Sequence, residues 1–145
     1  MFKRILLPTD GSPASQQAIL AGVALARETG AEVIGLTVVP PFHTLSADPE
    51  MLESTPAQYE QQSRQQADRI LADVESAARE TQVPYRLEHA SGDTPYETII
   101  TTARDDGCDL ILMASHGRKG IKGLLLGSET QKVLVHSAIP VLVYR

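Results

Sequence analysis

A chain of 145 residues carrying a formal charge of −5 is sized for one domain with a proper buried core, and 42% hydrophobic with 21% charged residues suits a globular chain, not a disordered one. The acidic balance is unfavourable to bulk nucleic-acid or anionic-membrane binding, and no apolar run approaches the roughly 20 residues that span a bilayer. The lone Cys108 excludes an internal disulfide and a multi-cysteine zinc site, and the apolar run Ile5 to Pro8 is too short for a signal-peptide core, so a cytoplasmic protein is expected.

Residues 3–8, KRILLP, are expected to form a short buried strand. Thr9 to Pro13 form a turn in which Ser12 caps a helix and Pro13 takes its first position. Apolar groups at 14, 18, 21, 22 and 25 give residues 13–29 a helical spacing, stopped by Gly30. Residues 32–39, EVIGLTVV, are rich in β-branched side chains and predict a second strand. Prolines at 40, 41 and 49 break any period over 40–54, which is expected to be a long loop. Thr55-Pro56 restarts a helix that runs to about 81, with Ala67, Ile70, Leu71, Val74, Ala77 and Ala78 on one face. Pro84 to Ala90 is a third strand. Asp93 or Thr94 caps the next helix, with Pro95 just inside it and Gly107 stopping it. Asp109 to Ala114 is a fourth strand, and IPVLVY at 139–144 is a fifth. Between them Ser128 opens a last helix, with Gln131 three residues on in a capping-box pattern.

Strands apolar on both faces that alternate with helices predict an α/β fold, a parallel sheet covered on both sides, in one domain over 1–145. Ligands of such sheets bind outside the carboxyl ends of the strands, where the strand order reverses. The loops after the first and fourth strands are the chemically loaded ones.

The stretch after the fourth strand, MASHGRKGIKGLLLGS at 113–128, holds four glycines and the cations Arg118, Lys119 and Lys122 with no acid. Gly127-Ser128 at a helix start offers backbone N–H groups and a dipole end to an anion. The alternative is a mobile surface loop with solvated cations. Gly117 to Gly120 also fits the GXXG of a KH clamp, although that clamp lies between helices. No Walker A, GxGxxG, GxSxG or HExxH pattern occurs. Asp10, just past the first strand, suits a ribose hydroxyl or a hydrated Mg²⁺; the alternative is an Asp that bonds its own turn. Ser115-His116 are sequence neighbours, which does not make them a nucleophile and base; His116 orients the loop or faces the ligand. Cys108 is expected to be a small core residue, and no catalytic base is assigned.

These residues resemble the universal stress protein family along essentially the whole chain. ILLPTDGSPAS is similar to that family's opening strand and acidic turn, and Met113 to IPVLV to its closing signature. Nucleotide-binding members carry glycine, two residues, glycine, nine residues, then glycine with Ser or Thr. Gly117 and Gly127-Ser128 match; the first position is Ala114. The resemblance implies a Rossmann-like open sheet of five parallel strands, of the adenine nucleotide alpha hydrolase-like type. It implies a homodimer that binds ATP, ADP or AMP, for which Mg²⁺ is a companion ion, and a regulatory or stress-response role with at most slow ATP hydrolysis. By position, Pro8, Thr9 and Val38 would line the adenine pocket and Asp10 the ribose or phosphate side. Met113 and Ala114 would pack near the nucleoside. His116, Gly117, Arg118, Gly127, Ser128, Glu129 and Thr130 would surround the phosphates. A positive φ at Ala114 would strain alanine, whereas close approach alone would tolerate its methyl. The other readings are a dimeric interaction module that does without nucleotide and a slow ATP hydrolase. The last strand is an apolar edge, and Val141, Leu142 and Val143 are expected to pair with their copies across a two-fold axis, unless the strand is covered within the monomer. A protein partner is expected, its identity unknown; nucleic acid and membrane are not expected partners.

Overall fold

The computed structural model describes residues 1–42, 55–117 and 126–145. Among the described residues, five strands alternate with four helices: β1 (Arg4–Pro8), α1 (Pro13–Thr29), β2 (Glu32–Val39), α2 (Pro56–Glu80), β3 (Tyr85–Ser91), α3 (Pro95–Asp105), β4 (Leu110–Ala114), α4 (Ser128–His136) and β5 (Val141–Tyr144). The strands form one sheet in the order β3-β2-β1-β4-β5, and every pairing is parallel. The chain first steps outward on one side of β1 and then returns to the other, so the order reverses between β1 and β4.

The pleat sorts alternate residues onto two buried layers. Ile5, Leu7, Leu110, Leu112 and Ala114 pack with Ala18, Ile19 and Val23 of α1 and Val74, Ala77 and Ala78 of α2. Leu6, Ile111 and Met113 pack on the other face with Ile99 and Ala103 of α3 and Val133 of α4. The two glycines of the helix–sheet contacts permit close approach. A methyl on Gly22 would overlap Leu7, and one on Gly35 would sit 2.9 Å from Val74 Cγ2.

The expected helix starts hold for α1 and α2. Ser12 accepts from the Ser15 N–H, and Thr55 and Gln58 form a reciprocal capping box. Gly30 takes the left-handed conformation at φ 74°. Three expectations need correction. Gly127, not Ser128, is the N-cap of α4, and its helix start has no side-chain cap. Gln131 instead donates to the Leu126 carbonyl at 3.0 Å. Thr94, not Asp93, is the N-cap of α3, and its side chain makes no cap bond. The last strand begins at Val141 rather than Ile139 because the Ser137 hydroxyl takes both the N–H and the carbonyl of Ile139, and Pro140 has no N–H to give. Of the expected loop, residues 43–54 lie outside the described residues; Phe42 meets the Tyr59 ring at 5.4 Å, and Tyr59 donates to the Pro40 carbonyl. No helix among the described residues is long and apolar enough to cross a membrane.

Candidate functional site at the reversal of strand order

Two strand ends frame the crevice where the order reverses. Thr9 N–H donates to the Leu36 carbonyl at 2.8 Å, so the chain leaves β1 tethered to β2. β1 pairs with β2 only as far as Pro8 and Leu36, while β2 runs on to Val39 beside β3. Val38 therefore lies beyond the end of β1, at the rim of the crevice, and packs by its side chain on the α3–α4 layer.

Asp10 sits at the centre of this corner. Its Oδ1 accepts from Ser12 N–H and from the Ser15 hydroxyl, each at 2.9 Å. The Asp that bonds its own turn was one of the two sequence readings, and that bond is present. The second oxygen points the other way, and a methyl built on Gly117 would overlap Oδ2. One carboxylate thus builds the β1–α1 turn and reaches the β4 loop. Ser15 was not among the expected site residues. Its place three residues after the N-cap Ser12, on the inward side of the first turn, is the signal that marks it.

At the β4 end, Ala114 is 5% exposed and belongs to the buried layer under α1. Among the described residues the only non-glycine with positive φ is Gln82, so alanine at 114 carries no such strain. Met113 is buried on the opposite layer. Ser115 is buried, and its hydroxyl lies 3.1 Å from Nδ1 of the exposed His116. The structure therefore does pair these two neighbours, with the hydroxyl turned inward and the imidazole outward.

The start of α4 closes the site. Gly127 N–H donates to the Ser115 carbonyl at 2.6 Å, and a Cβ on Gly127 would come within 3.2 Å of His116 Cα. A side chain here would crowd the backbone of Ser115 and His116, and the Gly127 N–H is spent on the loop; the donors that face outward begin at Ser128, whose side chain is exposed. Thr130 gives its hydroxyl to the Ala114 carbonyl at 3.0 Å. Glu129 turns away and accepts from the Tyr96 N–H at 2.9 Å. Pro8 and Thr9 are buried beside the crevice. Arg118, Lys119 and Lys122 lie outside the described residues. No group of three metal-ligating side chains forms among the described residues. Cys108 is far from chemistry of its own: burial, then the nearby Asp106 charge, pushes its thiol up to about 12.

The universal stress protein family model matches this chain over residues 1–145. The chain belongs to the universal stress protein family. Among curated relatives, universal stress protein MJ0531 of Methanocaldococcus jannaschii is 31% identical over 147 residues, covering 100% of this chain and 83% of its own. Universal stress protein YxiE of Bacillus subtilis is 31% identical over 149 residues and 100% of both chains. Among solved structures, MJ0577 of Methanocaldococcus jannaschii superposes with a TM-score of 0.82 at 29% identity, covering 99% of this chain and 95% of that one. A universal stress protein solved in complex with cAMP shares the fold at a TM-score of 0.74 and 22% identity, covering 99% of this chain and 97% of its own.

Proposed function

We propose that this universal stress protein binds an adenine nucleotide in the crevice between β1 and β4, and acts as a regulatory binding protein in a stress response. The observation that carries the proposal is the meeting of Asp10 and Gly117 beside the start of α4. A carboxylate that accepts from ribose hydroxyls and a helix start whose N–H groups donate to an anion stand together at the place where open parallel sheets bind ligands. Family members of the same fold have been solved with cAMP and with dAMP. Those ligands belong to those proteins, and they make an adenine nucleotide the first ligand to try here.

In this reading, Pro8, Thr9 and the end of β2 at Val38 flank the base. Asp10 Oδ2 meets the sugar or, through water, a phosphate-borne Mg²⁺. Mg²⁺ keeps most of its waters, so Asp10 would hold it through one of them beside the phosphates. Gly117, Ser128 and the first-turn N–H groups of α4 face the phosphates. Gly127 and Thr130 act one step back, by holding α4 against β4. Ala114 places its methyl in the core layer, which gives no support to a module that has lost its nucleotide.

The homodimer belongs to the same proposal. β5 is the last strand of the sheet, and Leu142 and Tyr144 are each 38% exposed while Val141 and Val143 are half-buried. An apolar edge of this kind suits pairing with its own copy. Mass spectrometry of the purified chain after denaturation tests the ligand: a near-stoichiometric adenine nucleotide is expected, and its absence even after incubation with millimolar ATP and desalting would count against the reading.

A further inference from the structure

We propose that Glu129 is a positioning residue that caps α3 from α4, so that the start of α3 and the candidate phosphate site are ordered together. The second half of that statement rests on the nucleotide reading; the first does not.

The N-cap residue gives the start of α3 no side-chain cap. Thr94 stands at the N-cap with φ −121° and ψ 93°, and its hydroxyl makes no cap bond. Pro95 has no N–H, and the Thr98 N–H is already taken by the Thr94 carbonyl at 3.2 Å. The Tyr96 N–H is therefore a first-turn donor that the helix itself does not use. Glu129, 33 residues further on in α4, accepts it at 2.9 Å. A carboxylate there also faces the positive end of α3.

The contact is part of a grip. Lys132 Nζ lies 3.4 Å from the other Glu129 oxygen and 5.7 Å from the centre of the Tyr96 ring. His136 stacks on the same ring, with centroids 5.2 Å apart at 29°. Glu129, Lys132 and His136 fall at i, i+3 and i+7, one stripe of α4. All three bear on Tyr96, whose ring packs against the α3–α4 core layer.

The neighbours of Glu129 in the same turn are bolted to β4 instead. Gly127 N–H holds the Ser115 carbonyl at 2.6 Å, and the Thr130 hydroxyl holds the Ala114 carbonyl at 3.0 Å. One helical turn is thus fixed to β4 on one side and to α3 on the other. An anion that orders this turn has a short path to Tyr96. Glu129 also carries a negative charge that would oppose an anion; its bond to Tyr96 and its pairing with Lys132 keep that charge turned away.

Hydrogen exchange on the full chain tests this, with ATP as the probe. In the absence of ATP, Glu129→Ala should speed exchange in residues 94–100 by about five- to tenfold, the size of a lost N-cap. Glu129→Gln keeps an accepting oxygen and should recover part of the protection, and Thr94→Ala should change nothing. At ATP concentrations that protect residues 110–117 equally in both proteins, ATP should slow residues 94–100 in the wild type and not in Glu129→Ala. Unchanged exchange at 94–100 in unliganded Glu129→Ala would overturn the cap. Equal ATP protection of 94–100 in both proteins would overturn the coupling. If ATP protects neither segment in the wild type, the nucleotide reading and the coupling that rests on it fail, while the unliganded comparison still decides the cap.

Discussion

Gly117 and Asp10 lie so close that a side chain at 117 would force one of them to shift: a Cβ on Gly117 would overlap Asp10 Oδ2. The positive-φ glycines among the described residues are Gly11, Gly30 and Gly107, so the demand at Gly117 is for space and not for a left-handed backbone. Gly117→Ala must turn Asp10 off its bonds to Ser12 and Ser15 or push the β4 loop outward. Nucleotide affinity should fall about tenfold or more, a loss of about 1.4 kcal/mol, measured by calorimetric titration with ATP. The melting temperature should move little, because the overlap involves a corner and not the core.

Ala114 gives the opposite expectation. Its methyl belongs to the buried layer with Leu7, Ala18 and Leu112. Ala114→Gly removes that methyl and loosens a strand end, at a cost of about 0.5–1 kcal/mol. ATP affinity should stay within about threefold of wild type, less than about 0.7 kcal/mol. A large gain in affinity would show that the methyl obstructs the ligand.

Gly35 tests the packing of α2 on the sheet. A Cβ there would stand 2.9, 3.0 and 3.1 Å from Cγ2, Cγ1 and Cβ of Val74. Val74 is fully buried and β-branched, so it has no spare rotamer to yield. Gly35→Ala should cost about 1–3 kcal/mol by chemical denaturation. The double variant Gly35→Ala with Val74→Ala should be more stable than the sum of the two single losses predicts.

Glu88 supplies a pH signature. Burial, and then the hydrogen bond and charge of Asp106, hold its carboxyl above the ordinary range, with Arg86 pulling the other way. A carboxyl raised on folding adds stability below its ordinary pKa and loses it as pH rises through the raised value. Glu88→Gln should therefore melt higher than wild type at neutral pH. The two curves should converge as pH falls to about 4, where the free carboxyl is itself half protonated. A Gln variant less stable at neutral pH would contradict the sign.

Much of this was legible in the sequence, because it depends on local chemistry. The alternation of apolar strands with capped helices gave the order of elements, and Ser12-Pro13, Thr55-Pro56 and Gly30 marked helix ends correctly to the residue. Period-two alternation from Leu110 and Leu112 also implies that Ala114 points under α1. The errors came where a distant partner decides. Gly127 displaces Ser128 as the cap of α4 because its backbone must reach the Ser115 carbonyl, 12 positions back, and no local preference reports that. The bond from the Tyr96 N–H to Glu129, 33 residues away, is likewise beyond any local preference. Ser15 is not legible as a site residue in the sequence because its bond to Asp10 exists only once the β1–α1 turn is closed.

Calorimetric titration of nucleotide-free protein with ATP, and in parallel with ADP, AMP and cAMP, tests the central claim most directly. Saturable binding of at least one of them, weakened by Gly117→Ala and little changed by Ala114→Gly, is the predicted result. No heat and no thermal shift with any of the four at millimolar concentration would contradict a nucleotide site between β1 and β4.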